Sequence, residues 1–207
     1  MFKSMLTTYS MLTAVLAVEF QITNKERGPI QVGFQGNNGK PALENGGFIL
    51  EQDATRSVWS ESNWAGRIWA RTWCDYNTKH CLTGDFNQLI SNSFQIEPIG
   101  GKGDGGQYSC KKSACPRYLN DECPNELKLN TEHGVVGCKS ACLAFNTDQY
   151  CCRGAFGTPE TCRSSTWPVN YPKFFKSRCP DAYSYAYDDH KSTFTCRAEK
   201  YLITFGL

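Results

Sequence analysis

The sequence predicts a mainly β protein: a β-sandwich into which a disulfide-rich, partly helical lobe is inserted. Short segments of alternating apolar and polar residues occur at close spacing in the first third of the chain and return at its end, which is typical of a sandwich or barrel. The middle differs, because residues 110–180 hold nine of the twelve cysteines and the best helical candidates.

The alternation is clearest at Phe20 and Ile22, and again at Ile30, Val32 and Phe34. A period of two places one side of a strand in the core. Further short strands are predicted at residues 48–50, 57–59, 67–71, 193–195 and 201–205. Turn-forming Asn and Gly residues at 37–39 and 63–66 separate these segments.

The middle of the chain contains the helical candidates. Residues 139–145 can place one apolar face against a core, and Pro172 suits the first turn of a helix that continues through residues 173–176. The glycine-rich stretch 100–106 is interpreted as a flexible link into the lobe. It is not a phosphate loop, because the order G-x-x-x-x-G-K-[ST] is absent.

The even number of cysteines, at this density, predicts a disulfide framework and therefore an oxidising compartment. Each bridge stabilises the folded state by ~2–4 kcal/mol relative to the unfolded chain. The spacings from Cys110 to Cys115 and from Cys138 to Cys142 are unlike the tight pairs of zinc ribbons. The three histidines stand alone, so we expect no metal site and no cofactor.

The start of the chain resembles a leader. Residues 11–17 form a short apolar core, and Val15-x-Ala17 fits a small-residue cleavage site, so we predict a signal peptide at 1–17, a single domain at 18–207 and a secreted protein. The alternative is a disordered extension. No later segment is apolar enough to span a bilayer. The formal net charge of +2 with no basic stripe makes nucleic acid an unexpected partner, and we expect a monomer.

Several runs of residues together resemble the thaumatin family. They cover nearly all of the chain after the leader, in the right order, and the run Cys-Pro-Asp-Ala-Tyr-Ser-Tyr at 179–185 is the most specific. The matching runs lie at residues 68–74, 83–85, 145–152, 157–162, 179–189, 192–196 and 202–205. The resemblance implies a thaumatin-like β-sandwich and a host-defence or antifungal role.

The resemblance also implies the disulfide pairing, which spacing alone leaves open among thousands of possibilities. The implied pairs are Cys74–Cys81, Cys110–Cys196, Cys115–Cys179, Cys123–Cys138, Cys142–Cys151 and Cys152–Cys162. Two further bridges of the family lack both of their cysteines here, one of them at residues 25–27 and 204–206, and another after Asp85. The loss of both ends leaves no orphan thiol.

A larger departure affects the site that the family uses. Between Leu89 and Phe94 the chain lacks a stretch that in the family carries sandwich strands and three carboxylates of an acidic cleft. By position, Arg67 matches the arginine of that cleft and Asp181 matches its last aspartate. Glu97 and Asp104 do not match the pattern. A skipped exon in the gene model is the alternative to a shortened protein, and the transcript across this segment distinguishes the two.

The resemblance implies binding of β-1,3-glucan or another fungal surface component. Hydrolysis needs two carboxyl groups that flank the scissile bond, and Asp181 has no identifiable partner, so we do not expect an efficient enzyme. The alternatives are a weak endo-β-1,3-glucanase or an enzyme inhibitor. The alternative to a role in ligand binding is a structural one for both residues. Asp181 would then cap a turn, and Arg67 would form an ion pair with a carboxylate of the lobe.

Exposed aromatic side chains are candidates for stacking on sugar rings. The candidates are Trp64, Trp73, Tyr183 and Tyr187. For each of them, packing in the core or in the wall of a cleft is the alternative.

Overall fold

The computed structural model describes residues 17–75, 77–85 and 93–206. The predicted signal peptide up to residue 16 lies outside the described residues, as does Leu89. Ala17, the predicted end of the leader, is the first residue of the first strand. The protein is mainly β, as the sequence predicts: a five-stranded and a four-stranded sheet form the sandwich, and a partly helical lobe contains a further two-stranded sheet.

Eleven strands occur among the described residues. They are β1 (Ala17–Asn24), β2 (Ile30–Gly36), β3 (Gly47–Leu50), β4 (Thr55–Glu61), β5 (Gly66–Asp75), β6 (His80–Thr83), β7 (Phe94–Ile99), β8 (Ser113–Cys115), β9 (Lys128–Thr131), β10 (Gly134–Cys138) and β11 (Lys200–Phe205). The helices are α1 (Ala141–Phe145), α2 (Asp148–Cys151) and α3 (Tyr171–Arg178), and short 3-10 turns lie at Leu43–Gly46, Asn125–Leu127, Gly154–Phe156, Ser164–Thr166 and Asp189–Lys191.

The first sheet has the strand order β4-β1-β11-β7-β8. The first and last strands of the chain pair in parallel at its centre, with Ile22 opposite Ile203. The neighbouring pairs β1–β4, β11–β7 and β7–β8 are antiparallel. This arrangement brings the two ends of the domain together in one sheet.

The second sheet has the order β3-β2-β5-β6 and is antiparallel throughout. Ile30, Val32 and Phe34 of β2 point inward, as their alternation predicts, and meet residues of the first sheet. The buried core between the sheets consists of Ile22, Ile30, Val32, Phe34, Leu50, Val58, Ile203 and Phe205. The opposite side chains of β2 and β5 are therefore presented outward.

One predicted strand is wrong. Residues 193–195 form no strand, and Thr195 makes only an isolated bridge to Ser109. The Cys110–Cys196 disulfide and a second bridge between Lys102 and Arg197 hold this segment beside the glycine-rich loop instead of beside a sheet. Alternation predicts a strand only where a partner strand is available.

The helices of the lobe begin at capping residues. Ser140 accepts a hydrogen bond from the Leu143 amide at the start of α1, at 3.2 Å. Asn170 does the same for Lys173 at the start of α3, where Pro172 occupies the first turn as predicted. The helix predicted at 139–145 is confirmed over Ala141–Phe145.

The core of the lobe combines cystines with aromatic rings. Trp167, Tyr171 and Phe175 are buried with Leu127 and with six of the nine cysteines of the lobe. Six disulfides are present, Cys74–Cys81, Cys110–Cys196, Cys115–Cys179, Cys123–Cys138, Cys142–Cys151 and Cys152–Cys162, which are the pairs that the resemblance implies. No free cysteine is found in the described ranges, which include all twelve.

The sandwich retains a close contact where one bridge of the family is absent. The Lys25 amide donates to the Phe205 carbonyl at 2.6 Å. Gly206, with φ of 78°, lies so close to the chain that a Cβ would come within 2.3 Å of the Glu26 nitrogen. Backbone contact therefore joins the two segments without sulfur, and a side chain at Gly206 would separate them.

Part of the inner face of the first sheet is uncovered. Ile96 on β7 lies directly opposite Ile203 on β11, so both side chains point to the same side. Ile203 is 5% exposed, whereas Ile96 is 37% exposed. This partly exposed position lies just after the point at which the sequence indicates a missing stretch.

Candidate functional site

The outer face of the second sheet carries a row of polar and aromatic side chains on β2 and β5. Gln31 pairs with Arg71, Gly33 with Trp69, and Gln35 with Arg67. The alternate residues Ile68 and Ala70 pack on the core, so this row points away from it.

A groove of about 670 Å³ runs along this row, a size typical of sites for small ligands. We call it the sheet-face groove. It is lined by Gln31, Val32, Gly33, Phe34, Gln35, Gly36, Lys40, Ala42, Gly46, Trp69, Arg71, Gly84 and Asp85.

Trp69 provides a rigid apolar surface in the sheet-face groove. Its ring lies over Gly33, where a Cβ would come within 2.5 Å of the indole. Its indole N–H donates to the Gly84 carbonyl at 2.9 Å. The absence of a side chain at position 33 and this hydrogen bond together hold the ring in place.

An ion pair between Arg71 and Asp85 forms one wall of the groove. Arg71 Nε donates to Asp85 Oδ1 at 2.9 Å and Nη1 donates to Gln31 Oε1 at 2.7 Å, while Nη2 contacts Asp85 and donates to the Lys79 carbonyl at 2.9 Å. Four of the five N–H donors of the guanidinium group therefore have partners within the protein. Because the amide oxygen of Gln31 accepts from the guanidinium group, the NH2 group of Gln31 is what this side chain can offer a ligand.

Asp85 is saturated by its neighbours. Its Oδ2 accepts from the Cys81 amide at 3.0 Å and lies 2.5 Å from His80 Nδ1. Burial raises the pKa of the Asp85 carboxyl, but hydrogen bonds from Arg71 and Cys81 and the electrostatic effect of Arg71 and His80 outweigh it and lower the pKa below its ordinary value. Asp85 is thus an ionised structural carboxylate rather than a proton donor.

Arg67 and Asp181, the two cleft residues carried over from the resemblance, lie on different elements. Arg67 is exposed at the end of the row on β5. Within the described part of the chain no hydrogen bond or ion pair involves its side chain. Asp181 follows α3, and its Oδ2 accepts from the Ala114 amide on β8 at 3.0 Å. No described contact brings Arg67 and Asp181 together.

The Asp181 contact is structural in character. Strand β8 is at the edge of the first sheet, where an unpaired amide needs a partner. The neighbouring Cys115 is bonded to Cys179, so the carboxylate and the disulfide fasten the same turn to the same strand. Glu97 accepts from Gln95 at 3.4 Å on β7, and Asp104 accepts from the Gly106 amide at 2.9 Å in the glycine-rich loop.

Comparison with known proteins identifies the architecture. A family model described as the Thaumatin family matches residues 24–97 and 91–207. The chain belongs to the thaumatin family.

Three similar proteins show how far the likeness extends. Pathogenesis-related protein 5 of Arabidopsis thaliana is 40% identical over 223 residues, which cover 93% of this chain and 91% of the relative. Thaumatin-like protein 1 of Pyrus pyrifolia is 36% identical over 232 residues, with coverage of 92% and 91%. A protein of Prunus avium named glucan endo-1,3-beta-glucosidase is 38% identical over 203 residues, with coverage of 80% and 81%.

This member of the thaumatin family is shortened. The alignment with the Arabidopsis relative extends over 223 residues, whereas the whole chain has 207, so the relative has residues with no counterpart here. The two matches to the family model also meet at residues 91–97, immediately before and within β7. This is the position at which the sequence indicates a missing stretch.

The four aromatic candidates for stacking on sugar rings fall into two groups: Trp64 and Tyr187 are partly buried, and Trp73 and Tyr183 are exposed. Trp64 donates its indole N–H to the Pro41 carbonyl at 2.9 Å and packs edge-on against Phe20, and the Tyr187 hydroxyl donates to the Gly157 carbonyl at 2.5 Å. Trp73 and Tyr183 are each about half exposed.

Each of the two exposed aromatic rings has a polar or aromatic neighbour. Trp73 stacks on His133 of the lobe, with ring centroids 4.9 Å apart. The Tyr183 hydroxyl donates to Asp189 at 2.8 Å. The Trp73 stack joins the end of β5 to the β9–β10 hairpin.

The reading of the sequence missed Trp59 and most of the sheet-face groove. Trp59 on β4 is 61% exposed, opposite in direction to the buried Val58. The alternation at residues 57–59 indicates that Trp59 points away from the core. The alternation Arg-Ile-Trp-Ala-Arg at residues 67–71 likewise places Trp69 and Arg71 on the same face as Arg67.

No group of three or more His, Cys, Asp or Glu side chains in the described ranges is placed to hold a metal ion. None of the helices described above is long and apolar enough to cross a membrane.

Proposed function

We propose that this chain is a secreted, disulfide-stabilised defence protein that binds β-1,3-glucan, or a chemically similar neutral polysaccharide of a fungal surface, in the sheet-face groove without efficient hydrolysis. One observation carries the proposal: the groove combines a fixed indole surface with side chains that form hydrogen bonds, and it contains a single carboxylate that is already saturated.

The chemistry of the groove suits a sugar polymer. A pyranose ring has an apolar C–H face, which packs on an indole such as Trp69, and a rim of hydroxyl groups that both donate and accept hydrogen bonds. Gln31, Gln35 and Lys40 line the groove around that ring. The positive charges of Lys40 and Arg71 are partly balanced by Asp85, which favours a neutral ligand.

The same geometry disfavours hydrolysis. Glycoside hydrolysis requires two carboxyl groups about 5–5.5 Å apart for retention, or about 6.5–9.5 Å apart for inversion. Asp85 is the sole carboxylate among the described residues that line the groove, and Asp181 is engaged with the edge of the first sheet. The name of the Prunus avium relative supports weak endo-1,3-β-glucanase activity as the second candidate.

Secretion is supported by two features. Six disulfides require an oxidising compartment to form and persist. Cleavage after Ala17 would remove a single residue of β1 and leave the Phe20 and Ile22 pairs intact. N-terminal sequencing of extracellular protein should therefore begin near Val18, and an intact Met1 would contradict the predicted leader.

The binding test combines sedimentation with insoluble β-1,3-glucan and a reducing-sugar assay on soluble laminarin. We expect the oxidised protein to co-sediment with the glucan and to release no sugar. The double variant Gln31→Ala/Gln35→Ala should bind about fivefold to tenfold more weakly, because two hydrogen-bonding side chains are removed.

Gln95→Ala is the matched control, because Gln95 lies on β7, on the outer face of the other sheet and distant from β4 in the strand order. It should bind as the wild type does. Absence of co-sedimentation would refute glucan binding, and sugar release that disappears in Asp181→Asn or Asp85→Asn would establish the glucanase instead.

A further inference from the structure

We infer that the polysaccharide site is longer than the sheet-face groove and continues over Lys40 into a second groove beside β4, so that the ligand is an extended neutral glucan chain rather than a short sugar. This inference rests on the proposed function and deepens it. It assigns to Trp59 a role in determining the length of the ligand.

The second groove has a volume of about 360 Å³. We call it the β4-edge groove, because β4 is the outermost strand of the first sheet. Its walls include Lys40, Pro41, Trp59, Glu61, Asn63 and Trp64. It has the same combination of indole rings and hydrogen-bonding side chains as the sheet-face groove.

The two grooves share one lining residue. Lys40 lines both of them, while Ala42 lines the first and Pro41 lines the second. The short segment around Lys40 therefore borders both grooves, and the inferred ligand crosses it as a ridge between them.

The ridge is held in a fixed position from both sides. The Lys40 amide donates to the Asn37 carbonyl at 2.8 Å, and the Pro41 carbonyl accepts from the Trp64 indole at 2.9 Å. Gly36 packs against the Lys40 carbonyl, where a Cβ would come within 2.2 Å. The relative position of the two grooves is thus set before any ligand binds, which reduces the entropic cost of binding a long chain.

The two indoles of the β4-edge groove differ in their availability. Trp64 packs edge-on against Phe20 at 5.7 Å between ring centroids, so it mainly forms the wall. Trp59 is 61% exposed on the solvent side of β4. A single exposed tryptophan is unremarkable by itself, but this one lies in a groove that continues a second groove with an indole surface.

The charges favour a neutral polymer along the whole path. Lys40 and Arg71 are balanced by Asp85 and Glu61 among the residues that line the two grooves. An anionic polysaccharide would meet no net positive field, and a cationic one would meet Lys40 at the ridge. A neutral β-linked glucan is therefore the occupant that we assign to both grooves.

The test measures affinity as a function of ligand length. Defined β-1,3-gluco-oligosaccharides from the disaccharide upward are titrated by calorimetry against the oxidised full chain, with polygalacturonate as the anionic comparison. For the wild type we expect affinity to rise in two stages as the oligosaccharide first fills the sheet-face groove and then reaches Trp59.

The decisive variant is Trp59→Ala. It should bind long oligosaccharides about fivefold to tenfold more weakly and bind the shortest ligands as the wild type does. Trp59→Tyr, which retains an aromatic ring, should recover most of the loss. Tyr118→Ala is the control, because Tyr118 is an exposed aromatic residue of the lobe at 46% exposure. Circular dichroism of each variant shows that the fold is retained.

Four results separate the outcomes. A loss in Trp59→Ala that is confined to long ligands supports the inference. Unchanged binding at every length would overturn it and leave the proposed function standing, whereas a loss at every length would place the site in the β4-edge groove alone. Absence of binding by the wild type, or equal binding of polygalacturonate, would refute the neutral-glucan function on which the inference rests.

Discussion

The sandwich and the lobe are stabilised by different means, although they belong to one chain. The sandwich has a continuous apolar core between two sheets and only one bridge of its own, Cys74–Cys81, which joins neighbouring strands. The lobe has helices of five, four and eight residues, too short to be stable alone, and holds them with cystines packed among aromatic rings. The sandwich therefore depends on burial, and the lobe depends on oxidation.

The largest effect should come from the bridges, and it should differ between the two regions. Replacement of Cys115 and Cys179 by alanine removes a bridge between residues that are 64 positions apart in the sequence. Replacement of Cys74 and Cys81 removes a bridge between residues that are seven positions apart. The chain-entropy argument predicts losses of about 4 and about 2 kcal/mol respectively. Denaturant unfolding of the two double variants measures the difference, and equal losses would contradict this account.

A second comparison separates covered from uncovered parts of the sandwich. Ile203→Ala should cost about 2–5 kcal/mol, because the side chain is buried between the sheets. Ile96→Ala, directly opposite on β7, should cost less than about 1.5 kcal/mol, because a third of that side chain already contacts water. A chimera that restores the missing stretch should cover Ile96 and bring its cost close to that of Ile203, as seen by thermal unfolding.

Two carboxylates should make the stability of the sandwich respond to pH in opposite directions. Burial raises the pKa of Glu26, and one of its oxygens has no hydrogen-bond partner, so its ionised form opposes folding above that pKa. Glu26→Gln should raise the melting temperature at pH 7 by roughly 1–3 °C. The gain should vanish below about pH 4, where the carboxyl is protonated in both states.

The pKa of Asp85 is lowered, so the stability that this carboxylate contributes changes with pH in the direction opposite to that of Glu26. Ionised Asp85 stabilises the folded state at any pH above the pKa that this residue has in the unfolded chain. The stabilisation is lost as the pH falls through the lower pKa that it has in the folded protein. Asp85→Asn should therefore lower the melting temperature at pH 7, and its deficit relative to the wild type should shrink in acid. Parallel melting curves of the two variants across pH 2.5–7 would show whether the directions are opposite, and identical profiles would contradict the assignment.

The smallest effect concerns the stack between the two regions. His133→Ala removes a ring that lies 4.9 Å from Trp73 and should cost about 0.5–1 kcal/mol. Hydrogen exchange should accelerate in the β9–β10 hairpin and remain unchanged in β1 and β11. His190→Ala, at an exposed position that follows the lobe in sequence, is the control. Equal exchange in both variants would mean that the stack does not hold the hairpin to the sheet.

Local patterns predicted much of the fold. The alternation of Ile30, Val32 and Phe34 places β2 correctly, and Pro172 marks the first turn of α3. The failure at residues 193–195 has a tertiary cause, because the Cys110–Cys196 bridge places Thr195 beside Ser109 rather than beside a sheet.

The candidate site could be predicted from the sequence less completely than the fold. The resemblance located Arg67 and Asp181 by position, but it could not show that the Asp181 carboxylate binds the Ala114 amide. The grooves combine β2, β4, β5 and the segment around Lys40, and their residues converge only after both sheets form. Alternation indicates that Trp69 and Trp59 point outward, but it does not indicate which loops surround them.

The parallel pairing of β1 with β11 has a consequence for biosynthesis. Strand β1 must wait for β11, so the centre of the first sheet cannot form until residues 200–205 have left the ribosome. The bridges Cys142–Cys151 and Cys152–Cys162 span only nine and ten residues and can close long before that. The lobe is thus able to oxidise and fold before β11 is available, while β1 keeps one open edge until then, a period in which protection by a chaperone would have the greatest value.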